Sequence, residues 1–231
     1  MIIVPIKGDV VDDDTADFYD FFEMQCTSPK KVNQILSNAN GQDITVEIAS
    51  NGGDVFAGSE IYSALKSYSG KVTVNILGLA ASIASVVAMA GDEINIAPTA
   101  QIMIHQAWSS VDGNADDMEH QSDVLQQIDQ SIINAYEAKT GLDRDELLQM
   151  MSNETWLTAQ NAVDKHFADG IMFADSKKPA YCNSMSGVVS HSALNKFKNM
   201  KFKLQEMQKE KSNSVKKTNL TAEKVKILRG E

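Results

Sequence analysis

Lys71-Val72-Thr73-Val74-Asn75-Ile76-Leu77-Gly78-Leu79-Ala80-Ala81-Ser82-Ile83-Ala84-Ser85-Val86-Val87-Ala88-Met89-Ala90 is the stretch on which the fold turns. Residues 71–77 are rich in β-branched side chains and read as a strand. Residues 78–81 are small and read as a tight connection. Residues 82–90 read as a buried helix. Residues 72–91 are 20 positions without a charge, about the length a bilayer core requires. Asn75, Gly78, Ser82, Ser85 and several alanines leave that run only weakly apolar, so strand, turn and helix is the better reading.

The same alternation continues outward. Residues 2–6 form a short apolar strand. Asp14 or Thr15 is placed to cap a helix with Phe18, Phe21 and Phe22 on its apolar side. Ser28-Pro29 is a cap followed by proline at the first helical position, opening a helix through Leu36. Asn40-Gly41 marks a turn, and residues 44–48 alternate as a strand does. Ser50-Asn51-Gly52-Gly53 breaks that pattern before a helix over 55–68. Beyond the central stretch, strands near 93–97 and 101–104 flank the Pro98 turn. A long helix covers 114–139 and stops at Thr140-Gly141. Short helices follow over 144–151 and from Thr158, and residues 171–173 close the body. Strands alternating with helices place the chain in the α/β class.

The charge is divided. Residues 1–175 carry 8 Lys and Arg against 27 Asp and Glu, a balance of −19, and residues 176–231 carry 13 against 4, a balance of +9. We expect a body over 1–175, a linker over 176–192 and a basic tail over 193–231, partly helical or disordered. Leu194, Phe197, Met200, Leu204 and Met207 mark one helical stripe there. A formal charge of −10 argues against whole-protein nucleic-acid binding. Cys26 and Cys182 are too few for a disulfide framework and read as reduced thiols. No basic region precedes the first apolar residues, so the start does not read as a signal peptide. No His or Cys cluster has metal-ligand spacing, and no cofactor is expected.

Serine hydrolysis needs a nucleophile, a base and donors aimed at a developing oxyanion. Ser82 sits where a strand and a small-residue turn meet a helix N-terminus, where free amides favour negative charge. By itself it reads equally as an N-cap. Gly78, Ala80 and Ala81 leave space for a substrate backbone, and Gly52-Gly53 permits an amide to turn inward. His105 follows the apolar run Ile102-Met103-Ile104. His120, His166 and His191 are weaker candidates. Glu154 and Asp169 are both acids able to orient a histidine, and composition does not choose between them.

Four segments together resemble the ClpP-type serine peptidases. Ser50-Asn51-Gly52-Gly53 resembles their Ser-Pro-Gly-Gly segment, and Gly78-Leu79-Ala80-Ala81-Ser82-Ile83-Ala84 resembles their nucleophile motif. Pro98-Thr99-Ala100-Gln101-Ile102-Met103-Ile104-His105-Gln106 is similar to their histidine segment. Glu154-Thr155-Trp156-Leu157-Thr158-Ala159, followed by Ala168-Asp169-Gly170-Ile171, is similar to their acid segment. Each is weak alone, and their order and spacing make the set specific. The resemblance implies Ser82 as nucleophile, His105 as general base, the amides of Gly53 and Ile83 as oxyanion hole, and Glu154 where most of the family has aspartate. It implies a crotonase-like stack of βαβ turns with a long handle helix from Asn114, assembled as a homo-oligomeric, commonly heptameric, ring or stacked rings.

Two features resemble the phage and prophage head-maturation branch: the start close to the first body strand, from which weak unfoldase docking is expected, and the basic tail. That branch implies a capsid or scaffold protein as substrate, in the bacterial cytoplasm or within procapsids, with no nucleic-acid or membrane partner. The alternatives are a peptidase working with a host unfoldase, a crotonase-like acyl-CoA enzyme, and a non-catalytic assembly protein of the same fold.

Overall fold

The computed structural model describes residues 2–173, which fall within the first of two units, Met1–Pro179 and Ala180–Glu231. The expected linker and tail lie outside the described residues, as does Cys182.

The order is β1 (Ile2–Val10), α1 (Asp13–Phe21), β2 (Cys26–Thr27), α2 (Pro29–Ala39), β3 (Ile44–Gly53), α3 (Val55–Lys66), β4 (Val72–Ala81), α4 (Ile83–Ala88) and β5 (Glu93–Ile96). β6 (Gln101–Ile104), α5 (Ala115–Thr140), α6 (Arg144–Ser152), β7 (Thr155–Thr158), α7 (Ala159–Asp164) and β8 (Gly170–Ile171) complete it. The strands run β2-β1-β3-β4-β5-β8, with β6 joined to β4 and to β7. Every pairing is parallel except β6 with β7. Parallel neighbours need crossovers, and helices α2, α3 and α4 supply them. The α/β architecture with a long helix is therefore as expected.

Alternation in the strands faces Val4, Ile6, Val46, Ile48, Val72, Val74, Ile76, Ile94 and Ile96 into one core, all nearly inaccessible. Val32, Leu36, Ile61, Leu65, Val87 and Met89 meet them from the helices. The charge-free run divides into β4 and α4, and no helix among the described residues is long and apolar enough to cross a membrane.

Several boundaries differ from expectation. α1 is capped by Asp12, whose carboxylate accepts from the Thr15 amide at 2.6 Å, rather than by Asp14 or Thr15. Its phenylalanines do not face the core: Phe18, Phe21 and Phe22 are 58%, 80% and 55% exposed and stack on one another. Ala16 supplies the buried contact instead. Residues 78–81 are not a connection but the end of β4, which continues to Ala81 by pairing with β6 after leaving β5. Ala80 and Ala81 are buried in the sheet, so they do not open space for a substrate. Cys26 is a free thiol whose Sγ lies 3.2 Å from the Lys31 ammonium.

α5 begins with a capping box, in which Asn114 and Asp117 satisfy each other's backbone amides, and ends at Gly141 in the left-handed region. Only its second half is buried, through Asp129, Ile132, Ile133, Ala135 and Tyr136. That half packs toward the segments that carry the candidate site.

Candidate active site

Ser82 stands between β4 and α4 with φ 54° and ψ −131°. An L residue avoids this region, and it persists only where its surroundings impose it. The imposing contacts are visible. The Ser82 amide donates to the Met103 carbonyl at 2.9 Å, and the Ser82 carbonyl accepts from the Ser85 amide and the Ser85 hydroxyl, at 2.9 and 2.6 Å. The Ser85 hydroxyl has given its hydrogen to that carbonyl, so Tyr136 donates to Ser85 Oγ at 2.8 Å. Burial pushes the Tyr136 phenol upward, which keeps it a donor. Ser85 is thus a buried brace for the Ser82 turn.

The Ser82 side chain makes no cap hydrogen bond. Its Oγ lies 2.7 Å from His105 Nε2. Register accounts for the meeting. β4 and β6 pair in parallel with Ala81 opposite Met103, so the residues just past each strand end emerge side by side. With the imidazole proton on Nδ1, Nε2 accepts the hydroxyl hydrogen.

The glycine pair packs against the same turn. A Cβ on Gly52, where φ is +94°, would lie 2.7 Å from Ser82 Cβ and 2.8 Å from the Ala81 carbonyl oxygen. A Cβ on Gly53, at φ +147°, would lie 2.1 Å from the Val10 carbonyl oxygen. Only glycine fits this backbone between β1 and Ser82. Buried Ser50 holds it from behind, donating to the Gly8 carbonyl at 2.6 Å and accepting from the Gly52 amide at 3.1 Å. The Ile83 amide, next along, opens α4 and belongs to the group of first-turn donors that have no partner inside the helix.

β7 brings the acid segment. It pairs antiparallel to β6 with Thr155 opposite Ile104, so one step further Glu154 stands across from His105. Yet no hydrogen bond joins Glu154 to His105 among the described residues. The Glu154 carboxylate instead accepts from the Trp156 indole at 3.2 Å, and its backbone takes φ 47°. Asp169 is placed far from this role: it accepts from the Ile94 amide at 2.7 Å and pairs with Lys139 at 2.9 Å, stapling β8 to β5 and α5.

Asn51, Gly52, Gly53, Ser82, Met103, His105, Trp108 and Glu154, with Asp9, surround one open cleft of about 610 Å³. Asp9, the next-to-last residue of β1, accepts from Tyr19 at 2.8 Å and carries no motif of its own by which the sequence would mark it. A second, more apolar groove of about 410 Å³ lies between α3 and α5, lined by Val55, Phe56, Val124, Ile128 and Ile132 among others. It begins two residues beyond Gly53.

A family model for the Clp protease matches residues 26–175. The chain is 33% identical over 138 residues to an ATP-dependent Clp protease proteolytic subunit 1 of Chlamydia abortus, covering 58% of this chain and 72% of that one. It is 32% identical over 149 residues to the corresponding subunit of Chlamydia muridarum, covering 63% and 78%. To an ATP-dependent Clp protease proteolytic subunit of Bacteroides fragilis it is 31% identical over 134 residues, covering 57% of this chain and 65% of that one.

Proposed function

The chain belongs to the Clp protease family, whose members are serine endopeptidases that form oligomeric rings, and on that premise we propose that Ser82 is its nucleophile and a phage or prophage capsid or scaffold protein its substrate. The 2.7 Å contact between Ser82 Oγ and His105 Nε2 carries the first half of this reading. His105 takes the Ser82 proton as Oγ attacks the scissile carbonyl, then returns it to the leaving amine. Water, deprotonated by the same imidazole, releases the acyl group. The amides of Gly53 and Ile83 receive the oxyanion, and Glu154 is the acid that steadies the imidazolium.

Support for the maturation role comes from the 56 residues beyond the matched stretch. A +9 extension on a −19 body suits salt-sensitive association with partners during assembly. The relatives' names favour a second reading, a peptidase that depends on an ATP-driven unfoldase. Incubation with the capsid and scaffold proteins encoded in the same genome separates the two. Cleavage without ATP, absent in Ser82→Ala, supports maturation. Cleavage only with an unfoldase and ATP supports the second reading.

Glu154 has its own test. Glu154→Gln lowers kcat by about 10²-fold with KM nearly unchanged, less than a fully engaged triad acid would give, because its carboxylate rests on Trp156. Steady-state kinetics on a peptide substrate read this directly, and a change below twofold removes Glu154 from the machinery.

A further inference from the structure

The proposed chemistry leaves one buried carboxylate without a task. Asp129 lies on α5 and is 5% exposed, although its neighbours in sequence, Gln126, Gln127 and Gln130, are those of a solvated helix. Its Oδ1 accepts from the Ala107 amide at 2.7 Å. Ala107 is two residues beyond His105, in the segment that leaves β6 without secondary structure. Seven residues further along α5, on the same helical face, Tyr136 braces Ser85 and through it the Ser82 turn.

The geometry points to Asp129 as a positioning residue for His105: by holding the Ala107 amide, it fixes the segment that carries the imidazole against Ser82. This rests on the serine-peptidase reading above. His105 is the first residue past β6 and would otherwise sit on backbone free to move. A displacement near 1 Å between base and nucleophile suffices to lower turnover about 10²-fold. Glu154 does not tether the ring in this structure, so the fixing falls to the backbone on its other side. Burial pushes the Asp129 carboxyl above the usual range, while the Ala107 amide, the Gln106 side chain and the charge of His105 pull the other way. These are the groups facing it from the His105 segment.

The consequence is a split between stability and turnover. Because the folded pKa of Asp129 is raised, its ionisation lowers stability as pH rises through the interval between its unfolded and folded values, and removing the charge removes that loss. Asp129→Leu fills the same space without an acceptor, and Asp129→Asn keeps an acceptor without the charge. The full-length chain, wild type and both variants, is titrated with a fluorophosphonate probe at neutral pH beside thermal melting. For Asp129→Leu the maximal labelling rate of Ser82 falls by at least about tenfold, the half-saturating probe concentration stays within about twofold, and Tm does not fall. Asp129→Asn recovers most of the wild-type rate. A Leu variant that labels within twofold of wild type overturns the assignment, as does a loss in both variants that merely tracks lost folded protein. A wild-type chain that does not label at all, seen before any variant is compared, sinks the peptidase reading and this one with it.

Discussion

Ser82→Ala and His105→Ala each lower kcat for peptide hydrolysis by about 10⁴- to 10⁶-fold, and the double variant loses no more than the worse single one. The expectation follows from the 2.7 Å contact. A hydroxyl is a poor nucleophile at neutral pH, and without the imidazole its proton has nowhere to go in the transition state. Removing either partner removes the same step, so the losses do not add. What survives is positioning and the oxyanion donors, which by themselves keep about 10³-fold over water. KM changes little, because neither atom is needed to hold the ground state. Losses that instead add in the double variant would mean that Ser82 and His105 act separately and that the contact is incidental.

Gly53→Ala has the next largest effect, and it acts on fold and turnover together. The new methyl would meet the Val10 carbonyl oxygen at 2.1 Å, a backbone atom that belongs to the β1–β3 ladder. At φ +147° the residue would also be strained whatever the space. The chain relieves this by moving the end of β3, and the Gly53 amide moves with it. We expect a loss of about 1–3 kcal/mol in stability and of about 10²- to 10³-fold in kcat, the effect of losing one oxyanion donor. Gly78→Ala is the control: Gly78 also lies in the quoted nucleophile motif, but a methyl there meets nothing within 4 Å. Thermal melting and kinetics on both variants decide the matter. A Gly53→Ala chain with wild-type turnover would take that amide out of the oxyanion hole.

Much of this was legible in the residues, for identifiable reasons. The β-branched run of β4, the Ser28-Pro29 start of α2 and the Gly141 end of α5 are local signals, set by side-chain shape and backbone freedom. β7 was missed as a strand. It has four residues, one of them a half-exposed Trp156, and it exists because β6 offers it an edge. That pairing brings Glu154 opposite His105, so the acid could be located from the motif but not from its own surroundings. Ser82 shows the limit most sharply. Its position before a helix is what any N-cap serine has; only the backbone at φ 54° and an Oγ that meets His105 instead of a helix amide separate a nucleophile turn from a cap. Asp129 carried no signal at all. A carboxylate among glutamines and serines reads as solvated surface, and its burial is decided by tertiary packing of α5 against the His105 segment. The exposed phenylalanines of α1 mislead in the opposite direction, since helical spacing alone does not say which face meets a core.

The measurement that bears most directly on the central claim is mass spectrometry of the full-length chain after reaction with a fluorophosphonate probe, followed by peptide mapping. The account predicts one adduct per chain, on the peptide that contains Ser82, and none in Ser82→Ala or His105→Ala. An unmodified wild-type chain in its assembled ring fraction, or an adduct on another serine, would contradict it.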